Sequence, residues 1–140
     1  MLYALNSGWK AYIGSLIRKD SRTIYDRDES GGTMLHKFAS LGEHECLQLI
    51  LETHMKNNLP DSYYVDCTDG AGRTALHHAA MSGVPACIKR LLDNNAVPEA
   101  ADSDGKRPRD VIGIGRDIGP YGFQVDIEAC HRLLLPHEQT

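Results

Sequence analysis

The sequence predicts an all-α solenoid built from short, stacked helix pairs, and two observations carry the prediction. A turn rich in Asp and Gly, then a Thr, then an apolar helical stripe occur in residues 69–83, and the same order recurs in residues 28–42. A third turn begins at Asp102, 33 residues after Asp69, and a period of this length indicates a repeat architecture. Such repeats bury their apolar faces against each other, so the core lies between neighbours.

The helix pair that follows Asp69 has the clearest signals. Thr74 is placed to cap the first helix with its hydroxyl group, and Gly83 ends that helix without a steric penalty. The second helix follows directly. The apolar positions of the pair are Leu76, Ala79 and Ala80 on the first helix, and Ile88, Leu91 and Leu92 on the second.

The motif at the start of each first helix resembles that of a known family. Residues 74–80 have the sequence Thr-Ala-Leu-His-His-Ala-Ala and residues 33–39 have Thr-Met-Leu-His-Lys-Phe-Ala, and both resemble the Thr-Pro-Leu-His-x-Ala signature of ankyrin repeats. The resemblance implies a single domain over residues 1–140, made of about four helix-turn-helix repeats with hairpin-like turns. We expect the repeats near residues 1–27, 28–68, 69–101 and 102–136.

The first and last repeats depart from this pattern. The first is predicted to be incomplete, since it lacks an opening turn, and Gly8 aligns with Gly42, which predicts a break between two helices there. In the fourth repeat we expect a first helix from Asp110. A Gly-rich insertion then interrupts the repeat over residues 113–122, because four Gly and a Pro within ten residues cannot stay helical. The second helix should resume near residue 125.

A second insertion lies between the second and third repeats. From Asp28 to Asp69 there are 41 residues, about eight more than the period, and we expect an extended second helix and then a loop. Tyr63 and Tyr64 near its end form either a hydrophobic lid on the neighbouring helices or an exposed contact surface. The sequence assigns no role to either insertion.

Composition excludes several classes of partner. The net charge of −4 does not fit nucleic-acid binding, which needs a clustered basic face. No run of eighteen apolar residues occurs, so we expect no membrane insertion, and residues 1–19 lack the apolar core of a signal peptide. The four cysteines form no C-x-x-C pair, and three occupy second-helix positions. We therefore expect reduced thiols and a cytoplasmic or nuclear location.

The histidines and glycines do not predict catalysis. The resemblance implies that His36 and His77 bridge backbone groups of adjacent turns, and this explains them better than metal binding does. His77 and His78 point apart on one helix, so they cannot chelate together. The G-x-G-x-x-x-G pattern at residues 113–119 follows no strand and precedes no Lys-Ser/Thr, which favours a loop over a phosphate site. We expect no catalytic residue, metal or cofactor.

The resemblance implies protein–protein recognition on a concave face made of turns and first helices. The positions that map to this face are Lys37, Ser40, Leu41, Arg73, His78, Met81, Ser82, Asp104, Lys106 and Arg107. Leu41 and Met81 are candidate apolar anchors, and the charges around them favour an acidic or mixed protein or peptide partner. Two alternatives remain: a regulatory or targeting domain of a larger enzyme, and a self-assembling structural solenoid. We expect a monomer, with a dimer through the open first repeat as the other possibility.

Overall fold

A computed structural model describes residues 2–57, 64–113 and 127–134, with side chains over 11–56, 64–113 and 127–134. These ranges contain six α-helices and no strand, which confirms the all-α prediction. The helices are α1 (Leu2–Lys19), α2 (Met34–Ser40), α3 (His44–Asn57), α4 (Ala75–Ser82), α5 (Pro85–Asp93) and α6 (Ile127–Leu134). Three short 3-10 turns lie at Ser21–Tyr25, Tyr64–Asp66 and Pro108–Asp110.

The elements stack in two layers. α2, α4 and the 3-10 turn at Pro108–Asp110 follow one another in the first layer, and α1, α3, α5 and α6 follow one another in the second. The core lies between the layers. Its largest fully buried apolar side chains are Ile13, Ile24, Leu35, Phe38, Leu47, Ile50, Leu76, Ile88, Leu91 and Leu134. The spacing of the motifs therefore produces one continuous stack of repeats.

The ends of the first helices form as predicted. Thr33 and Thr74 are the N-caps of α2 and α4, and each hydroxyl accepts a backbone N–H of the first turn. Gly83 ends α4 in the left-handed conformation with φ 73°, and its N–H donates to two carbonyls of the helix. Asn95 takes the same conformation after α5, with φ 72°.

The first repeat differs from the prediction of a helix pair. α1 runs without interruption from Leu2 to Lys19 and passes straight through Gly8. A glycine in a helix interior costs only about 1 kcal/mol, which a helix of this length can tolerate. The later half of α1 packs against α3, with Ile13 buried, so it holds the place predicted for the second helix of the repeat.

The predicted extension of the second repeat is confirmed. α3 has 14 residues whereas α5 has 9, and the loop after α3 lies outside the described residues, as does Tyr63. Of the two possibilities, a hydrophobic lid or an exposed contact surface, Tyr64 forms the lid. It is only 5% exposed, and its hydroxyl donates a 2.6 Å hydrogen bond to the Ile24 carbonyl. The Tyr64 ring also packs on Tyr25 and His54, with centroids 5.0 and 4.9 Å away.

The first helix predicted to begin at Asp110 does not form. Instead, Pro108–Asp110 makes a single 3-10 turn, and a non-helical turn follows at Ile112 and Gly113. Arg107 lacks the capping hydroxyl, and the Asp110 carboxylate folds back to accept the Arg107 N–H at 2.9 Å. Gly113 has φ 74° and donates to a carbonyl of α4, so the segment is tied to the third repeat. The rest of the predicted insertion, residues 114–122, lies outside the described residues, and so does residue 125, near which the second helix was expected to resume.

Candidate partner-binding face

Three hairpin turns, here named tip 1 (residues 28–32), tip 2 (residues 69–73) and tip 3 (residues 102–106), project from the first layer. Each begins with an Asp whose N–H donates to the carbonyl four residues later, at 2.8–3.0 Å. One carboxylate oxygen of the same Asp accepts the N–H groups two and four residues later. These bonds hold each tip in one shape, and the charged Asp is part of each one.

The pKa values of the three aspartates reflect this role. Hydrogen bonds from Ser30 and from backbone amides hold the pKa of Asp28 below its usual value. Burial acts to raise the pKa of Asp69 and of Asp102, but the bonds they accept outweigh it and lower both. The three carboxylates are therefore fixed as anions by the tips and do not act as proton donors at neutral pH.

The tips are joined to each other by backbone hydrogen bonds. Gly70 N–H of tip 2 donates to the Ser30 carbonyl at 2.8 Å, and Ser103 N–H of tip 3 donates to the Ala71 carbonyl at 3.0 Å. Gly72, with φ 75°, is required by this contact, because a Cβ there would lie 2.8 Å from the Ser103 nitrogen. The three tips thus form a short ladder with one fixed register.

His36 and His77 add a second set of links between repeats, as the resemblance implies. Each Nδ1 accepts the N–H of its own capping threonine, at 3.1 and 3.0 Å. Since Nδ1 accepts, the proton lies on Nε2, which donates to the Arg73 carbonyl at 3.0 Å and to the Lys106 carbonyl at 2.8 Å. Burial lowers the pKa of both imidazoles, so they are neutral structural links.

Lys37 of α2 and His78 of α4 directly follow these two histidines, and they differ in whether their side chains are already paired within the chain. Lys37 is exposed, and it has no ion pair among the described side chains. His78 is half-buried, with its Nε2 2.8 Å from an Asp69 carboxylate oxygen and its ring edge against His36 at 5.5 Å. Of these two predicted site residues, Lys37 is therefore available to a partner and His78 is held by its own repeat.

The candidate anchors lie at the C-terminal ends of the same two helices, which pack side by side. Leu41 and Met81 are both half-buried and rest partly on the core. In the repeat alignment Met81 corresponds to Ser40, and Ser82 corresponds to Leu41. Each serine hydroxyl donates to a carbonyl of its own helix at 2.7 Å. We name these four residues the apolar patch.

The charged residues of the predicted rim are mostly engaged within the chain. Arg73 Nε lies 3.5 Å from an Asp102 carboxylate oxygen. Arg107 contacts both Asp110 and Glu99, and Glu99 also holds Arg109 at 3.2 Å. Arg107 and Arg109 therefore both face Glu99. No local period connects Glu99 to these arginines, so nothing in the sequence could have indicated the contact.

Two predicted rim residues stay open to solvent. Lys106 and Asp104 are exposed at tip 3, and Lys106 has no ion pair among the described side chains. The structure thus brings the predicted residues of α2, α4 and the tips onto adjacent elements. It leaves Lys37 and Lys106 as the cations of that set without an ion pair, within the described ranges.

The described residues can also be examined for metal sites, reactive thiols and membrane-spanning helices. They contain no group of three or more His, Cys, Asp or Glu side chains that could hold a metal ion. The four cysteines are not bonded to each other, and burial raises the pKa of the thiols of Cys67 and Cys87. A thiol with a raised pKa is a poor nucleophile at neutral pH. None of the helices described has the length and apolar character needed to cross a bilayer.

Comparison with known proteins gives relatives of several kinds. A Caenorhabditis elegans homolog of transient receptor potential cation channel subfamily A member 1 is 33% identical over 89% of the chain. Mouse NF-kappa-B inhibitor delta is 30% identical over 74% of it, and human protein phosphatase 1 regulatory subunit 27 is 29% identical over 71%. The chain spans only 9%, 32% and 60% of the lengths of these three proteins.

The family assignment follows from the repeats themselves. Residues 1–102 match the family model of ankyrin repeats in three copies. Ankyrin repeats are in general protein-interaction modules, and the relatives include a named inhibitor and a named regulatory subunit. With its ladder of tips, its threonine caps and its histidine links, the chain belongs to the ankyrin-repeat family.

Proposed function

We propose that the chain is a recognition module that binds another protein or a peptide segment on the face formed by the tips, α2 and α4. The observation that carries the proposal is the apolar patch of Ser40, Leu41, Met81 and Ser82. It lies at the ends of two adjacent helices, between the core and solvent. Its two apolar side chains retain exposed area, and covering that area would be favourable.

The serines make this patch less polar than its composition suggests. Both hydroxyl groups already donate to carbonyls of their own helices, at 2.7 Å. A partner that covers the patch would therefore not strand an unsatisfied hydroxyl hydrogen, which is the main penalty for burying a polar group. The four residues can act together as a weakly polar anchor site.

The charges around the patch indicate the chemistry of the partner. Lys37 and Lys106 are exposed and have no ion pair among the described side chains, whereas Arg73, Arg107 and Arg109 are engaged. We infer a partner with apolar side chains that cover the patch and carboxylates that approach the two lysines. Exposed charges of this kind mainly govern association rate and salt dependence.

The proposed module acts by binding alone. The module has no reaction of its own and needs no cofactor. It acts in the cytoplasm or nucleus, where its thiols stay reduced. A single copy suffices for binding the partner. If the chain is part of a larger enzyme, the same face would serve regulation or targeting of that enzyme.

A peptide-display selection on the immobilised chain tests the proposal, with a matched variant. Leu41→Ser combined with Met81→Ser introduces at each position the residue that the other repeat has there, so the fold should accept both changes. Because hot-spot side chains contribute on the order of 2 kcal/mol, we expect selected peptides to bind the variant at least about 10-fold more weakly.

The matched control is a substitution in the second layer, away from the apolar patch. Glu52 is exposed on α3, so Glu52→Ala should leave peptide affinity unchanged. Far-UV circular dichroism and thermal melting must show that both variants are folded. Peptides that bind the serine variant as tightly as the parent chain would place the site elsewhere and reject the proposal.

A further inference from the structure

The ladder of tips has two open edges. In each junction the second residue of one tip donates its N–H to the carbonyl of the third residue of the tip before it. By this register, Glu29 N–H at tip 1 is a donor and the Asp104 carbonyl at tip 3 is an acceptor. Neither group has a hydrogen-bond partner among the described residues. The two open groups are complementary to each other.

The side chains at the two edges are complementary as well. Inside the ladder, Arg73 at the end of tip 2 approaches the carboxylate of Asp102 at the start of tip 3. The residue equivalent to Arg73 at the end of tip 3 is Lys106, which is exposed. At tip 1, Asp28 and Glu29 are both exposed. A cation at one edge therefore matches two carboxylates at the other.

We propose that tip 3 of one copy docks on tip 1 of a second copy, head to tail, and continues the ladder between molecules. The Asp104 carbonyl accepts the Glu29 N–H, and Lys106 pairs with the carboxylates of Asp28 and Glu29. The molecule itself contains two examples of how one tip docks on another, at 2.8 and 3.0 Å. This surface contains no residue of the apolar patch, but it shares Lys106 with the proposed partner-binding face.

The geometry also predicts the form of the association. An interface between two different surfaces does not close on itself in a pair, so mass should keep rising beyond the dimer with concentration. A symmetric dimer through α1 would stop at two copies. Since one backbone bond and exposed ion pairs are weak, we expect a dissociation constant on the order of 0.1–1 mM, reduced further by salt.

Sedimentation velocity on the whole chain, from micromolar concentrations up to about 1 mM, measures this association. The backbone bond is tested by Glu29→Pro against Glu29→Ala. Glu29 is the second residue of a turn in which Gly31 N–H donates to the Asp28 carbonyl, a position that favours proline. Both variants lose the carboxylate, but only proline loses the N–H, so we expect proline to weaken association at least about fivefold more than alanine.

The charges are tested by reversal. Glu29→Lys alone and Lys106→Glu alone should each abolish association, and an equimolar mixture of the two variants should restore it, since every junction in the mixture can then be opposite in charge. Neither side chain contributes to its own tip, and circular dichroism checks that each variant folds. A chain that stays monomeric up to about 1 mM, equal association of the proline and alanine variants, or a mixture that stays monomeric would each overturn the proposal.

Discussion

Replacing His77 by alanine should uncouple tip 3 from the third repeat. The imidazole is fully buried, accepts the Thr74 N–H at 3.0 Å and donates to the Lys106 carbonyl at 2.8 Å. The Lys106 carbonyl keeps a second partner, the Asp102 N–H, but the Thr74 N–H has no other partner among the described residues. The variant thus leaves one buried donor unsatisfied and one inter-repeat bond missing.

The magnitude follows from these two losses. An unsatisfied buried donor costs about 1–3 kcal/mol, and the lost bond to Lys106 adds about 0.5–1.5 kcal/mol. We therefore expect His77→Ala to lower the free energy of unfolding by about 1.5–4.5 kcal/mol, a large part of the total for a domain. His78→Ala is the control, since this half-buried neighbour has one side-chain hydrogen bond, to Asp69, and an edge contact with the His36 ring. We expect it to cost under about 1 kcal/mol.

Urea titration followed by circular dichroism measures the loss, and hydrogen exchange locates it. In a repeat protein a broken junction can free one end without unfolding the rest, so the transition of His77→Ala should also broaden. The Asp102 amide, which donates to the Lys106 carbonyl, should exchange faster in His77→Ala than in His78→Ala. Equal losses of stability in the two variants, with unchanged exchange at Asp102, would refute the bridging role.

Three further predictions concern pH, glycine and the thiols. Burial lowers the pKa of His36 and His77 from 6.5, so on acidification these side chains take up protons in the unfolded chain before they do in the folded one. The melting temperature should therefore fall as the pH drops below about 6.5. Burial raises the pKa of Glu43, and this opposes part of the loss of stability. Gly72→Ala should cost at least about 1 kcal/mol more than Gly105→Ala by urea titration, because both residues have positive φ but only Gly72 lies against backbone. Alkylation of the unreduced, denatured protein should modify four thiols by mass spectrometry, and fewer would indicate a disulfide.

The elements that the sequence predicted correctly are those fixed by local chemistry. A threonine hydroxyl caps the helix that follows it, and a glycine takes a positive φ at the end of that helix. Each of these interactions depends on residues within a few positions of each other. The repetition of the pattern then gave the stacking of the layers.

The elements that were predicted wrongly depend on context outside their own residues. Gly8 is compatible with a turn or with the interior of a helix, and the structure has the interior of a continuous α1 that packs against α3. In the fourth repeat, Asp110 could begin a helix or close a single turn. The absence of a capping hydroxyl at Arg107 and the bond from Gly113 to α4 favour the turn.

The sequence pattern predicted which positions make up the candidate site. It did not predict which of the charged side chains there are unpaired and so available to a partner. Lys106, Arg107 and Arg109 look alike in the sequence, yet Glu99 holds both arginines and not the lysine. His78 occupies the position of Lys37 and is held by Asp69. Whether a charge is available depends on pairings between distant residues, which the sequence pattern does not contain.

Comparing the two complete repeats with each other separates folding from recognition. From the tip to the end of the first helix, the positions that hold the same residue in both are the tip Asp, the Gly three residues after it, the capping Thr, the Leu, the His, an Ala and the terminal Gly. The Asp, Thr and His make bonds that fix the fold. The fold accepts Lys or His at one position, Ser or Met at a second, and Leu or Ser at a third. Since packing does not require any one of these residues, their identities are free to serve a partner, and the three positions include all of the apolar patch and Lys37.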